Sequence, residues 1–463
     1  MNESNRPYSR AVVVGASMGG LLAARALADH FEQVTIVERD RLPAAAQHRK
    51  GVPQSKHTHA LLSKGRDTLE ALLPGLTDDL IRGGATTAGL DEGQLVYNGY
   101  RMPKTGSEMR SVLVSRPMLE AAVRARVLAL PNVRVIDNAD ALGSFGDAGH
   151  GGVKGLHVMR RAPDSAAERL DADLVVDAGG RGSRAPQWLE QMGYPIPRVE
   201  TVRIDGGYAS RLYRWTPDMP KFVNITPARG CARIGALFAQ EDNTFIVTLA
   251  GYFGNCAPTD NDGFLDFAKS LAAPDIFEVL RRAEPLTDAV PARFPGSVRR
   301  RYDRLARLPA GFITFGDAIC SFNPVYGQGM TVAALEAIAL GQCVREGLDG
   351  LPARFYKCVA KIVETPWRTA VNNDLRHPRT QGKRTPVNRF LNWYIEKLHR
   401  VASHDPQLLI AFQKVTNMIA PPQSLLTPGV VWRVLKGNVM RPDDRSEVRR
   451  FGDALGQAGR PKP

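Results

Sequence analysis

The feature that most constrains this 463-residue chain is a glycine-rich turn between a short apolar strand and an apolar helix. Residues 11–14 (Ala-Val-Val-Val) predict a strand that is buried on both faces, and residues 34–37 predict a second one. Between them, Gly15, Gly19 and Gly20 lead into apolar residues that recur at helical spacing. This β-α-β pattern predicts a doubly wound α/β sheet, in which the helix N-terminus can hold a pyrophosphate.

Two details decide what the turn can bind. Ser17, followed by Met18, stands where the middle glycine of the usual pattern falls, and a packing turn is the alternative interpretation. Glu38 ends the second strand, where a carboxylate can accept hydrogen bonds from ribose hydroxyls. Its alternative role is a solvated acid in the loop that continues with Arg39, which is itself a cofactor-binding candidate. Together these residues predict a dinucleotide site, without separating FAD from NAD.

A second motif lies roughly 300 residues later. Asp317 follows a predicted buried strand at residues 313–315, and it can hydrogen-bond a polyol hydroxyl. The segment that follows holds Pro324, Gly327 and Gly329, whose flexible backbone lets amide groups face a ring system. A predicted helix begins near Met330 and points its positive end at the same place.

With both motifs in this order, residues 11–342 resemble the FAD-dependent monooxygenases of the aromatic-hydroxylase type, also called group A. In that family the aspartate of the second motif holds the ribityl chain of FAD, and the next helix faces the pyrimidine edge of the flavin. The resemblance therefore implies these roles for Asp317 and for the helix that begins near Met330.

Further parts of the chain carry the same resemblance. Residues 49–54 (Arg-Lys-Gly-Val-Pro-Gln), followed by two histidines, are similar to bacterial epoxidases and hydroxylases of polyketide and related secondary-metabolite biosynthesis. Arg116, at the head of an apolar helix, is similar to the arginine that reaches the FAD phosphates in this family; the alternative is a helix-start cation without a partner. The resemblance thus implies cofactor contacts by Arg49, Lys50, Gly51 and Arg116.

One segment departs from the family. An Asp-Gly pair that serves FAD and the nicotinamide donor is replaced here by a sequence with Gly179 at the expected aspartate, and Asp177 stands two places earlier. We keep Asp177 and Gly179 as cofactor-binding candidates, and donor binding stays open. His57 and Tyr326 are candidates near the flavin. His57 and His59 lack a third metal ligand of suitable spacing, so we predict local hydrogen bonding and no metal.

The domain prediction follows from these motifs. We expect a Rossmann-like FAD domain of the glutathione-reductase type, formed by residues 1–200 and 296–350. Alternating and aromatic segments within 201–295 predict an inserted antiparallel substrate-binding β-sheet domain. Segments 208–213 and 245–249 are its candidate substrate wall. Residues 351–463 predict a helical C-terminal region that ends in a polar tail.

Composition excludes several classes of protein. The net charge of +14 is spread along the chain without a zinc-finger or RNA-binding signature, which argues against nucleic acid. The basic run from Arg299 to Arg301 predicts a solvated face, with a cofactor-phosphate role as the alternative. No uncharged apolar window of membrane-spanning length occurs, and five scattered cysteines favour free thiols in the cytoplasm.

The resemblance implies a monooxygenase that inserts one oxygen atom of O2 into a small organic substrate. Its flavin would be reduced by NADH or NADPH and then form a C4a-hydroperoxide. The sequence does not distinguish hydroxylation from epoxidation, and it does not identify the substrate or the electron donor. The oligomeric state is also open, and a homodimer is one option. The alternatives are a prenyl-reductase-type reductase or dehydrogenase, a flavin halogenase, whose Trp-x-Trp-x-Ile-Pro segment is missing here, and a non-catalytic FAD-binding partner.

Overall fold

The fold is that of a computed structural model, which describes residues 7–147, 152–228 and 230–440. Its strands, in chain order, are β1 (Tyr8–Val14), β2 (Phe31–Val37), β3 (Thr86–Ala88), β4 (Gly93–Tyr97), β5 (Tyr100–Arg101), β6 (Ser111–Leu113), β7 (Val133–Ile136), β8 (Ala139–Asp147), β9 (Gly152–Arg160), β10 (Ala167–Asp171), β11 (Leu174–Asp177), β12 (Val199–Arg214), β13 (Phe222–Ile225), β14 (Arg233–Gln240), β15 (Thr244–Gly251), β16 (Val290–Arg300), β17 (Phe312–Thr314) and β18 (Cys320–Ser321). Its helices are α1 (Met18–Ala28), α2 (Ser63–Leu72), α3 (Leu76–Arg82), α4 (Arg116–Leu128), α5 (Ala185–Gln191), α6 (Asn261–Lys269), α7 (Asp275–Leu280), α8 (Gly329–Arg345), α9 (Leu351–Asp374), α10 (Pro386–Ala402), α11 (Pro406–Thr416) and α12 (Pro428–Met440).

A five-stranded parallel sheet carries both sequence motifs. Its strand order is β17-β11-β1-β2-β7, so the first strand of the chain lies at the centre of the sheet. The apolar runs that predicted these strands are buried, since helices α1, α4 and α8 belong to the same hydrophobic core. A three-stranded antiparallel sheet of β8, β9 and β10 is inserted before β11.

A larger sheet of eight strands has the order β18-β16-β12-β15-β14-β13-β4-β5. Its pairs are antiparallel except for β13 with β4, which run parallel. Most of it comes from the segment that predicted an inserted sheet domain, but β4 and β5 arrive from earlier in the chain. Helices α6 and α7 pack their apolar residues against one part of it.

The C-terminal helices are built onto the large sheet. Residues of α10, α11 and α12 share a hydrophobic core with side chains of β4, β5 and β13. The long helix α9 instead packs on α8 in the core of the parallel sheet. Since α9 precedes α10, the C-terminal region joins the cofactor-side core to the large sheet.

The predicted fold class is confirmed: a parallel α/β domain is combined with antiparallel sheets and a helical C-terminal region. The predicted domain boundaries stay predictions. The polar tail beyond residue 440 lies outside the described residues. Within the described part of the chain, no helix is both long and apolar enough to cross a membrane.

Candidate functional site

The predicted site residues gather at one edge of the parallel sheet. Gly15 follows β1, Glu38 follows β2, Asp177 ends β11 and Asp317 comes shortly after β17. These four strands are parallel, so their carboxyl ends meet at the same edge. Ligands of open α/β sheets bind outside this edge. Two motifs far apart in sequence are therefore brought together by the fold.

Glycine is required at two positions of the first turn. Gly15 has a φ of +98°, and a Cβ there would lie 2.9 Å from the carbonyl oxygen of Ala178. A Cβ at Gly20 would lie 1.7 Å from the carbonyl oxygen of Gly15. Ser17 needs no such freedom, because its φ is −88° and it stands at the N-cap of α1. Serine at this position is therefore compatible with the turn.

Ser17 also takes part in a buried polar cluster that we name the Glu120 cluster: Ser17, Arg49, Arg116 and Glu120. The carboxylate of Glu120 accepts hydrogen bonds from Arg49 Nη2 (2.6 Å), Arg49 Nε (3.0 Å) and the Ser17 hydroxyl (2.9 Å). Arg116 donates to the Ser17 hydroxyl (2.9 Å) and lies 3.4 Å from Glu120. Two of the predicted cofactor-binding arginines, Arg49 and Arg116, thus meet beside the first turn.

Sequence reasoning missed Glu120. A signal was available, because Glu120 follows Arg116 by four residues on α4, and such pairs lie on the same face of a helix. The contacts of Glu120 with Ser17 and Arg49 could not be predicted, because these residues lie about 100 and about 70 positions away in the sequence.

Glu38 is buried and already accepts two backbone hydrogen bonds. Its oxygens lie 2.6 Å from the amide nitrogen of Ala16 and 2.9 Å from that of Asp40. Arg49 lies 3.4 Å from the carboxylate. Glu38 therefore joins the end of β2 to the glycine-rich turn.

A polar crevice opens next to Glu38. Arg39, Arg49 and Lys50 line this space of about 330 Å³. Gly51, beside it, donates its N–H to Asp40 at 2.6 Å. The predicted residues around position 50 thus lie on the side of the turn where the adenosine part of a dinucleotide would extend.

Asp317 is free to bind a ligand. Its carboxylate makes no hydrogen bond with any residue in the described part of the chain, and the residue is exposed. Desolvation by the surrounding protein raises its pKa, and the nearby Arg116 and Arg181 oppose this shift. An acceptor held ready in this way suits a ribityl hydroxyl.

The segment after Asp317 leads into the start of α8. Pro324 is exposed, and Gly327 has a φ of +64° with open space where a Cβ would stand. The side chains of Met18 and Met330 are buried. Two buried polar atoms here, Arg116 Nε and Gln328 Oε1, have no hydrogen-bond partner among the described residues. The residues present fit FAD.

Asp177 has a different environment. It is buried, and it accepts hydrogen bonds from the amide of Gly179 (2.7 Å) and the hydroxyl of Ser183 (2.6 Å). Burial raises the pKa of Asp177, and the hydrogen bond from Ser183 opposes this shift. The side chain therefore supports its own turn, which lies against Gly15, and a cofactor contact by this turn stays a prediction.

The two histidines lie between the cofactor edge and the large sheet. His57 Nδ1 is 2.8 Å from the Ser210 hydroxyl on β12, and burial lowers the pKa of His57 to about 4. His59 Nδ1 donates to the carbonyl oxygen of His57 at 2.8 Å, and burial lowers the pKa of His59 to about 3. Both rings are therefore neutral at physiological pH. Among the described residues, no group of three or more His, Cys, Asp or Glu side chains is placed to hold a metal.

The basic run after Val298 is not the solvated face that we expected. Arg299 is buried and forms an ion pair of 2.7 Å with Glu364 on α9. Arg300 donates to the carbonyl oxygens of Ala318 and Arg181, both at 3.0 Å. That prediction was wrong because the run lies where β16 passes between α9 and the cofactor edge.

A cavity of about 230 Å³ lies between the large sheet, α9 and the C-terminal helices. Val325 and Tyr326 close its cofactor side. Sheet residues that line it are Leu95, Tyr97, Phe222, Asn224 and Phe238. On the other side it is lined by His399, Phe412 and Gln413 of the C-terminal helices, and by Arg376 and Asn417, which lie just after α9 and α11.

The cavity uses a different part of the sheet from the one we predicted. No residue of segments 208–213 and 245–249 lines it. Tyr213, Phe245 and Val247 instead pack in the core beneath α6 and α7. Alternation along a strand shows which residues share a face, but it does not show which face a helix will cover.

Tyr326 is held by a buried carboxyl group. Its hydroxyl donates to Asp374 Oδ1 at 2.8 Å, and Asn323 Nδ2 donates to the same oxygen at 2.9 Å. Asp374 is fully buried at the end of α9, and this burial raises its pKa to about 7. The cofactor-side wall of the cavity is thereby tied to α9.

Comparisons with known proteins give two curated relatives. Protein Rv3254 of Mycobacterium tuberculosis is 35% identical over 391 residues, covering 80% of this chain and 81% of the relative. Kynurenine 3-monooxygenase of Salinispora arenicola is 25% identical over 368 residues, covering 73% of each chain. No protein-family model matches the chain.

Solved structures resemble the fold along most of the chain. PqsL of Pseudomonas aeruginosa, described as a probable FAD-dependent monooxygenase, has a TM-score of 0.56 at 16% identity, covering 87% of this chain and 99% of its own. The tetrameric 2-methyl-3-hydroxypyridine-5-carboxylic acid oxygenase has a TM-score of 0.56 at 18% identity, covering 80% and 92%. The flavin-dependent brominase Bmp2 has a TM-score of 0.61 at 13% identity, covering 97% and 98%.

The similarity to these solved structures confirms, at the level of fold, the family resemblance that the two motifs predicted. The identity with Rv3254 extends over four fifths of both chains and establishes a family relationship. The chain therefore belongs to the family of protein Rv3254, and its fold is that of the FAD-dependent monooxygenases of the aromatic-hydroxylase type.

Proposed function

We propose that this protein is an FAD-dependent monooxygenase that inserts one oxygen atom of O2 into a small organic substrate, by hydroxylation or epoxidation. FAD, when bound, supplies the reduced flavin that activates oxygen, with NADH or NADPH as the electron source. The cytoplasm is the proposed location. Whether the protein forms a homodimer stays a prediction.

The observation that carries the proposal is the position of the cavity. Its cofactor side is formed by Val325 and Tyr326, which belong to the second FAD motif. A substrate in this cavity would therefore lie next to the ring system that the motif holds. Oxygen transfer requires this proximity and also a site from which water is kept out, which the mainly apolar walls provide.

The residues of the cofactor edge have separate tasks in this proposal. Glu38 would accept hydrogen bonds from the ribose, and Asp317 from the ribityl chain. Arg116 would neutralise charge on the pyrophosphate, because its buried Nε has no hydrogen-bond partner within residues 7–147, 152–228 and 230–440. The N-terminus of α8 would face the pyrimidine edge of the flavin, where its partial positive charge stabilises negative charge.

Purified protein is expected to be yellow and to release all of its FAD on denaturation, because no His or Cys in the motifs occupies an attachment position. With a substrate, NADH or NADPH oxidation should be coupled to oxygen uptake. Mass spectrometry under ¹⁸O2 should then find one labelled oxygen atom in the product. Freshly purified protein without any flavin would contradict the proposal as a whole.

The same assay separates the alternatives. The brominase shares this fold, so a halogenase is the second candidate; it would give a brominated or chlorinated product only when halide is added. A reductase or dehydrogenase would turn over without placing labelled oxygen in its product. A non-catalytic FAD-binding partner would not have its flavin reduced by NADH, NADPH or a reductase.

Asp317→Ala should weaken FAD binding more than Glu38→Gln does. Loss of the Asp317 carboxylate leaves a buried cofactor hydroxyl unpaired, which costs roughly 1–3 kcal/mol, or about 5- to 150-fold in Kd. Glutamine at position 38 keeps an acceptor oxygen, so its effect should be smaller. Fluorescence titration of the apoprotein with FAD measures both constants, with Asp171→Ala on the exposed strand β10 as the control. Equal constants for the two site variants would contradict this ordering.

A further inference from the structure

The C-terminal helices expose most of the large apolar side chains that reach the protein surface. Twelve such side chains are exposed in the described part of the chain, and nine of them lie within residues 387–440. The nine are Val387, Phe390 and Trp393 on α10, Ile419 and Leu426 between α11 and α12, and Trp432, Leu435, Val439 and Met440 on α12. Single exposed apolar residues are ordinary, whereas a concentration of them marks a surface that binds something.

Five of these residues form one face on each of two helices. On α10, Phe390 and Trp393 are three positions apart, and their ring centroids lie 5.9 Å apart. On α12, Trp432, Leu435 and Val439 occupy positions i, i+3 and i+7, which share one side of a helix. We name these five residues the C-terminal surface.

The two helices pack against each other. Asn438 Nδ2 on α12 donates to the carbonyl oxygen of Lys397 on α10 at 3.1 Å. Leu398 of α10 and Val434 of α12 are buried in the same hydrophobic core, which fixes the inner side of each helix. The exposed faces of α10 and α12 therefore belong to one region of the protein surface.

This region is also strongly basic. Residues 376–440 contain ten Lys or Arg and two Asp or Glu, an excess that exceeds half of the net charge of +14. One of the two acids, Asp405, already pairs with Arg433. Lys397 follows Trp393 by four positions on α10, and the ammonium of Lys436 lies 4.5 Å over the ring of Trp432. Positive charges thus stand directly beside the exposed apolar side chains.

We infer that the C-terminal surface docks the protein on an anionic lipid bilayer, as a peripheral contact. Tryptophan favours the headgroup level of a bilayer, apolar side chains enter the acyl boundary, and lysines beside them reach lipid phosphates. Each cation near an anionic membrane adds to the attraction. The inference goes beyond the proposed function and does not depend on it.

Charge argues against the other occupants of this surface. In a symmetric dimer, a second copy would bring the same positive surface against itself, and like charges repel. A nucleic acid would neutralise the cations but leave Leu435 and Val439 in water. Only an anionic lipid surface satisfies both the charge and the apolar side chains.

Vesicle cosedimentation tests the inference. The full-length protein is mixed with vesicles of equal parts phosphatidylglycerol and phosphatidylcholine, or of phosphatidylcholine alone. Binding to the anionic vesicles should be tighter by about tenfold or more, and added NaCl should weaken it. Tryptophan emission should shift to shorter wavelength on binding, because Trp393 and Trp432 leave water.

Two double variants separate the apolar and the charged contributions. Leu435→Ser with Val439→Ser, and Lys397→Gln with Lys436→Gln, should each weaken binding to anionic vesicles by about tenfold or more. Ile196→Ser is the matched apolar control, because Ile196 is 54% exposed, as against 53% for Leu435, and lies in the loop after α5. Lys357→Gln, at an exposed position of α9, is the control for charge. Both controls should bind like wild type.

The inference is overturned if the protein binds neither kind of vesicle, if it binds both equally, or if the double variants bind like wild type. Light scattering after size exclusion then identifies the occupant. A dimer that Leu435→Ser with Val439→Ser dissociates would assign the surface to a second copy. Binding to a DNA duplex that this apolar variant leaves unchanged would assign the charge to nucleic acid.

Discussion

Replacing Glu120 with alanine is expected to destabilise the protein by about 3–5 kcal/mol, because the buried Arg116 loses its ion-pair partner and Arg49 keeps only the more distant carboxylates of Glu38 and Asp40. Glu120 accepts hydrogen bonds from Arg49 and Ser17 and lies 3.4 Å from Arg116. The side chains of Arg49 and Arg116 are only 3% and 6% exposed, so water cannot replace the lost carboxylate at low cost. Arg116 should also lose its orientation towards the first turn, and FAD binding should weaken.

Thermal unfolding of the apoprotein measures the effect on stability. For a chain of this length, 1 kcal/mol corresponds to about 1 °C in Tm, so a fall of about 3–5 °C is expected. Glu278→Ala is the control, because Glu278 is 48% exposed and pairs with Arg281 on the surface of α7. Exposed pairs contribute about 0–1 kcal/mol, so Tm should change by no more than about 1 °C. Equal changes in the two variants would show that the Glu120 cluster is not needed for stability.

The parallel sheet could be predicted from the sequence because its signals are local. Four-residue apolar runs such as residues 11–14 indicate strands that are covered on both faces. The glycine-rich turn requires glycine at positions 15 and 20, because a side chain at either position would clash with a backbone carbonyl oxygen. In a parallel sheet the carboxyl ends share one edge, so placing Glu38 and Asp317 at strand ends was enough to expect them near each other.

The substrate cavity could not be predicted, since it depends on how distant segments pack. Its walls combine β4 with β13 and β14, and add helices α10 and α11 from the end of the chain. Nothing near Tyr97 or Phe222 indicates that α10 will cover them. The buried run at Arg299 was missed for the same reason, because its partner Glu364 lies 65 residues away on α9.

The folding stability of the Asp374→Asn variant, relative to that of wild type, is expected to increase as the pH rises from 5 to 8. Burial raises the pKa of Asp374 to about 7, from an ordinary value of 3.8. Between these pH values the folded protein retains a proton that the unfolded chain has already released. Folding stability of the wild type therefore falls as the pH rises through this window, and it levels off above the folded pKa.

The size of the effect follows from the same shift. One pKa unit corresponds to about 1.4 kcal/mol, so wild type should lose about 2–3 kcal/mol between pH 5 and pH 8 through this group. Asparagine does not titrate, and it keeps the acceptor oxygen that Tyr326 and Asn323 use. Other buried acids, such as Glu336, whose pKa burial raises to about 8, are common to both proteins and cancel in the comparison.

Differential scanning fluorimetry at pH 5, 6, 7 and 8 tests this expectation. The Tm of Asp374→Asn minus that of wild type should increase steadily by about 2–3 °C over the series. Asp171→Asn, on the exposed strand β10, should show no such trend. A difference that is constant with pH would mean that Asp374 carries the same charge in the folded and the unfolded chain. The carboxyl group beneath Tyr326 would then be ionised throughout this range, and Tyr326 would be held by an anion instead of a neutral acid.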